Sequence, residues 1–106
     1  MPLTISLVVQ DRTATIAMDG DLDAQTAPIF QEQAQRAAEQ HPQRLVLDMT
    51  RLGYMSSAGL RQLVYAQQKL DDDVQIVLLG ANPHIEQTIR LVGLEQSVTF
   101  ADSIPE

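Results

Sequence analysis

Residues 45–61 read Leu45-Val46-Leu47-Asp48-Met49-Thr50-Arg51-Leu52-Gly53-Tyr54-Met55-Ser56-Ser57-Ala58-Gly59-Leu60-Arg61. Leu45-Val46-Leu47 is a short, continuous apolar run ending at Asp48, the pattern of a strand buried in a parallel sheet. Leu60, Leu63, Val64 and Leu70 then recur at helical spacing, so a helix opens near Ser56 or Ser57 and stops at Asp71-Asp72-Asp73. Val74 to Leu79 supplies another buried strand. Asn82-Pro83 is a helix start, an N-cap followed by Pro at the first helical position, and Ile85, Ile89 and Val92 form its apolar stripe up to a stop at Gly93. Val98-Thr99-Phe100 closes as a short strand, and residues 101–106 read as a loose tail.

Toward the N-terminus, Leu3, Ile5, Leu7 and Val9 alternate with Thr4, Ser6 and Val8, and Thr13 to Met18 forms a second β-rich run. The two are close enough to pair as a hairpin across Asp11-Arg12. Asp19-Gly20-Asp21-Leu22-Asp23 reads as an acidic turn. A helix follows from Thr26 as N-cap, with Pro28 in its first turn and Ala27, Phe30, Ala34, Ala37 and Ala38 facing inward, until His41-Pro42 ends it. The order β-β-α-β-α-β-α-β predicts a single α/β domain over residues 1–106, a mixed sheet with helices packed on it. In such sheets sites form beyond the carboxyl ends of the parallel strands, which points to the segment after Leu47.

Composition narrows the function classes. The net charge is −7, and the seven basic residues (Arg12, Arg36, Arg44, Arg51, Arg61, Lys69 and Arg90) are scattered. A nucleic-acid partner needs a basic patch and an anionic membrane surface attracts one, so neither is expected to bind directly. No apolar run reaches the roughly 18–20 residues of a membrane span, and the N-terminus lacks a signal-peptide pattern. With no cysteine, disulfides, zinc–thiolate sites and thiol nucleophiles are excluded. Cytoplasmic residence fits these features. His41 and His84 lack metal spacing, the glycines are isolated, and no nucleophile–base pair stands out, so no metal, cofactor or intrinsic catalytic activity is expected. A response-regulator receiver would need an acidic pair after the first strand and a Lys after the last, and Lys69 lies in the second helix.

The chemistry sits at Ser56 and Ser57. The first N–H groups of a helix lack internal partners and carry partial positive charge. A phosphate added there is stabilised by them. Either serine can also cap the helix, and capping and phosphorylation can coexist. Small Ala58 and Gly59 permit close approach by a partner or by a neighbouring strand. Asp21, Asp23 and Asp48 suit local turn hydrogen bonding, or contact with a partner.

Taken together, Asp48-Met49-Thr50, Ser56-Ser57-Ala58-Gly59-Leu60, the earlier Gly20-Asp21-Leu22-Asp23, Gly80 and Leu91-Val92-Gly93-Leu94 resemble the STAS-domain family of anti-sigma factor antagonists across nearly the whole chain. The resemblance implies a STAS-domain fold and a switch. The unphosphorylated antagonist binds an anti-sigma factor, a serine kinase of the histidine-kinase-like ATPase fold, and frees a sigma factor. The kinase phosphorylates the serine before the Ala-Gly pair, here Ser57, with Ser56 as second candidate, and a metal-dependent serine phosphatase resets it. The expected partner-binding set is Asp21, Asp23, Asp48, Thr50, Ser56, Ser57, Ala58, Gly59 and Arg61. Many relatives have Asp where this chain has Ser56, which changes the charge offered to a kinase. The alternative is a STAS module that is never phosphorylated, an adaptor subunit of a lipid-transport ATPase complex or a signalling scaffold.

Overall fold

Alternating apolar residues build β1 (Thr4–Gln10) and β2 (Thr13–Leu22), antiparallel in register from Thr4–Asp19 to Gln10–Thr13. Asp11 and Arg12 both take positive φ, 53° and 63°, as a two-residue hairpin loop with a primed turn requires. The rest follows as α1 (Ala27–Glu39), β3 (Arg44–Met55), α2 (Ser57–Lys69), β4 (Gln75–Leu79), α3 (Pro83–Leu91), a 3-10 turn (Leu94–Gln96) and β5 (Thr99–Ala101). The structure is a computed structural model and describes residues 3–102. Residues 103–106 of the expected loose tail lie outside the described residues, while Ala101 pairs with Leu79 as the last residue of β5.

The sheet order is β1-β2-β3-β4-β5, with β2 through β5 parallel. Right-handed crossovers that always step in one direction place every helix on one face of a sheet. The packing agrees: Phe30 of α1, Leu63 of α2 and Ile85 and Ile89 of α3 share one core with Ile16, Leu47 and Leu78. The alternate residues Val46, Val77 and Leu79 form a separate cluster with Ala101 on the opposite face. Val46 is fully buried there because Thr15 and Val77 flank it in register.

Two boundaries differ from the sequence reading. Asp19–Leu22 continues β2 instead of turning, because the buried alternation of Ile16 and Met18 runs on through Gly20 and Leu22. The strand expected to end at Asp48 instead continues as β3 to Met55 and pairs with this extension of β2. Two register shifts, between Ala17 and Asp19 and between Gly20 and Asp21, give β3 extra residues at those points. Such bulges disrupt strict alternation, and they bring Met49, Leu52 and Met55, spaced by three, into the core. Val92 also departs from expectation. It is 54% exposed, because α3 ends at Leu91 and Gly93, at φ 79°, turns the chain away.

Asn82 caps α3 as its position predicts. Its side chain accepts the Ile85 N–H at 2.9 Å, and its Nδ2 donates to the Leu52 carbonyl at 3.4 Å, tying α3 to β3. Asn82→Ala is expected to cost about 1–2 kcal/mol, read as a lower urea midpoint at unchanged m-value. An unchanged midpoint would contradict the capping role.

Candidate functional site

Ser56 and Ser57 are neighbours in sequence and differ in surroundings. Ser56 has extended backbone, φ −84° and ψ 174°, and its half-buried hydroxyl accepts the Gly59 N–H at 3.2 Å. It is the N-cap of α2. Its own N–H donates to the Leu22 carbonyl at 2.9 Å, fixing the start of α2 against the end of β2. Ser57 is the first helical residue and is exposed. Its hydroxyl makes no hydrogen bond among the described residues. Tyr54, 47% exposed, stands just before the pair.

Gly59 is where α2 meets β2. A Cβ built on it would lie 2.6 Å from the Leu22 carbonyl oxygen and 2.8 Å from Leu22 Cγ. Only glycine allows that approach. Ala58 is half-buried, and Arg61 is exposed one turn along the helix.

Asp21 and Asp23 flank Leu22 and so lie beside the start of α2. Asp23 organises the entry to α1: its Oδ1 accepts the N–H groups of Gln25 at 2.9 Å and Thr26 at 3.1 Å. Thr26 stands at the N-cap position of α1, yet its side chain does not cap. Its backbone is already helical, φ −98° and ψ −11°, which turns the hydroxyl back to donate to the Asp21 carbonyl at 2.8 Å and accept the Asp23 N–H at 2.9 Å. The Thr26 N–H, above all, holds the Asp23 carboxyl below the usual carboxylate range; partial desolvation opposes it, and the Gln25 N–H and Thr26 hydroxyl assist. A depressed folded-state pKa stabilises the fold above the unfolded value of about 3.9, and the contribution is lost as pH falls through the folded value. Asp23→Asn is therefore expected to shrink the drop in urea midpoint between pH 7 and about pH 3, and an equal drop in both proteins would refute this.

Asp48 and Thr50 form a separate pair. Asp48 Oδ1 accepts the Thr50 hydroxyl at 2.6 Å and its N–H at 3.1 Å. The strand from Thr50 to Ser56 spans about 20 Å at roughly 3.3 Å per residue, so these two residues do not join the serines. The structure thus gathers Asp21, Asp23, Ser56, Ser57, Ala58, Gly59 and Arg61 around the start of α2 and leaves Asp48 and Thr50 toward Gly80 at the end of β4, where a Gly80 Cβ would meet the Thr50 side chain. The residue that sequence reasoning missed is Leu22, whose carbonyl and side chain seat α2. Its signal was the alternation Ile16, Met18, Gly20, Leu22 inside the acidic stretch. Among the described residues, no group of three or more His, Asp or Glu side chains is placed to hold a metal ion, and no helix is long and apolar enough to cross a membrane.

Residues 4–106 match the STAS domain family. The chain belongs to that family. This STAS domain is similar to the anti-sigma-F factor antagonist RsfB of Mycobacterium tuberculosis, 22% identical over 95 residues that cover 90% of this chain and 78% of RsfB. Among solved structures it resembles an anti-sigma factor antagonist from Mycobacterium paratuberculosis, with a TM-score of 0.87, 22% identity, and coverage of 96% and 87% of the two chains. It also resembles the Bacillus cell fate determinant SpoIIAA in its phosphorylated form, with a TM-score of 0.73, 20% identity, and coverage of 94% and 93%. At these identities the structural likeness is one of fold.

Proposed function

We propose that this STAS domain is an anti-sigma factor antagonist controlled by phosphorylation of Ser57. The observation that carries the reading is the contrast between the two serines: Ser56 is occupied as the helix cap, while Ser57 offers an exposed hydroxyl on the first turn of the same helix. The names of the similar proteins support the same reading. In the unmodified state the surface around Ser57 binds an anti-sigma factor serine kinase of the histidine-kinase-like ATPase fold, and a sigma factor is released. The chain is then the substrate of a phosphoryl transfer and not its catalyst. Ser57 Oγ bonds to the γ-phosphorus of ATP held by the kinase, the bond from that phosphorus to the bridging oxygen breaks, ADP leaves, and the hydroxyl proton passes to a base of the kinase. A metal-dependent serine phosphatase hydrolyses the ester and resets the switch. Asp21, Asp23, Tyr54 and Arg61 border the docking surface.

The test is mass spectrometry of the chain after incubation with its kinase and ATP. Wild type is expected to gain one phosphate on Ser57, Ser57→Ala none, and Ser56→Ala still one. Phosphate on Ser56 would overturn the assignment. Recovery of membrane-ATPase subunits in place of a kinase, on pull-down from its own cells, would favour the adaptor role.

A further inference from the structure

We propose that Arg61 is the built-in counter-ion of a phosphoryl group on Ser57, so that the modified side chain is held along α2 by a residue of the same helix. The inference rests on the reading of Ser57 given above and adds how the modified state is stabilised. Ser57 and Arg61 are four residues apart on α2, and both are exposed. That spacing brings Cβ atoms to about 5–6 Å, with the anion N-terminal to the cation, the better order for such a pair.

Three other arginines already have acidic partners. Arg36 pairs with Glu32, Arg51 with Asp19, and Arg90 with Glu86 and Glu95. Arg61 has no ion pair or hydrogen bond among the described residues. The sequence of α2 contains no acidic residue, so nothing on its own helix competes for the guanidinium, and the helix's other cation, Lys69, lies three turns from Ser57. On the β2 side the nearby charges are the carboxylates of Asp21 and Asp23, flanking the Leu22 that receives the Ser56 N–H. A phosphate on Ser57 is repelled from that side and drawn toward Arg61, whose planar fork suits a phosphate. Tyr65, 46% exposed, lies one turn further along the same stripe. Modification thus replaces a face of hydroxyl, guanidinium and phenol with one whose cation is already satisfied.

The experiment installs phosphoserine at position 57 during translation, so no kinase is needed, and follows its second ionisation by phosphorus NMR. An adjacent cation favours the dianion. The apparent pKa is expected to be about half a unit lower in the wild-type background than in Arg61→Gln, about threefold in proton affinity, with Arg61→Lys between them and the difference shrinking in high salt. Equal titration of the wild-type and Arg61→Gln proteins would overturn the proposal. The kinase assay decides separately whether Ser57 is the acceptor, so failure of one reading is distinguishable from failure of the other.

Discussion

Phosphorylation of Ser57 is expected to weaken binding to the anti-sigma factor kinase by at least about a hundredfold while leaving the stability of the fold nearly unchanged. The two halves of this expectation have different causes. A phosphate adds about −1.5 to −2 charges near neutral pH, and at the first turn of α2 it meets free N–H groups and a favourable dipole of roughly 0.3–1 kcal/mol. Ser57 is exposed, so nothing in the core has to move. Docking is another matter. A partner that covers Ser57 must strip water from a doubly charged group that the single charge of Arg61 balances only in part, which costs several kcal/mol unless the partner supplies a further cation, and each 1.4 kcal/mol is about tenfold in affinity. Calorimetric titration of the kinase with both forms, alongside thermal melts, checks both halves. Equal affinities would remove the switch, and a collapsed melting temperature would mean that the phosphate acts by unfolding the domain.

Gly59→Ala is expected to destabilise the domain by about 1–3 kcal/mol through overpacking. The added methyl would sit 2.6 Å from the Leu22 carbonyl oxygen, a backbone atom that already holds the Ser56 N–H at 2.9 Å. It cannot retreat without breaking that bond, so α2 must lift from β2. Alanine is the better helix former by about 1 kcal/mol, so a net loss here isolates the clash. At about 4–8 °C per kcal/mol for a domain near this size, a thermal melt resolves it. Gly53→Ala is the control, because its Cβ would lie 3.7 Å from the nearest neighbouring atom, an ordinary contact. A melting temperature unchanged by Gly59→Ala would contradict the close packing of α2 on β2. Because Ser56 caps through the Gly59 N–H, the same substitution is expected to disturb the presentation of Ser57.

The sequence made the element order legible because each element carries its own local signal: alternation in β1, an apolar run in β4, Asn82-Pro83 at α3. The region around the site was harder to read for a physical reason. Strand periodicity assumes an unbroken ladder, and the shifts between Ala17 and Asp19 and between Gly20 and Asp21 break it. Met49, Leu52 and Met55 then recur every three residues, which matches neither a strand nor a helix, and the strand reads as ending at Asp48. The acidic residues around Leu22 hid it in the same way, since Asp19 and Asp21 point away from the core that Gly20 and Leu22 enter. Ser56 and Ser57 were legible as a pair, but their division of labour was not. Which hydroxyl caps depends on where extended backbone gives way to helix, and that boundary is set by the Leu22 carbonyl from a distant part of the chain.

The sheet order, β1 to β5 in chain order, bears on how the domain is made. No strand must be inserted between two that formed earlier, so every strand that leaves the ribosome finds its neighbour already in place. After the β1–β2 hairpin, the loop to be closed at each parallel step holds one helix and its turns, and the entropic cost of closure grows only slowly with such lengths. Each parallel pairing still joins residues far apart in the chain, Thr13 with Arg44 and Arg44 with Gln75, the kind of contact that forms slowly, while domains fold as they emerge, N-terminal part first. The start of α2 is seated on Leu22, at the end of a strand synthesised before it, so the Ser57 surface can take shape before β4, α3 and β5 are added to the far edge of the sheet.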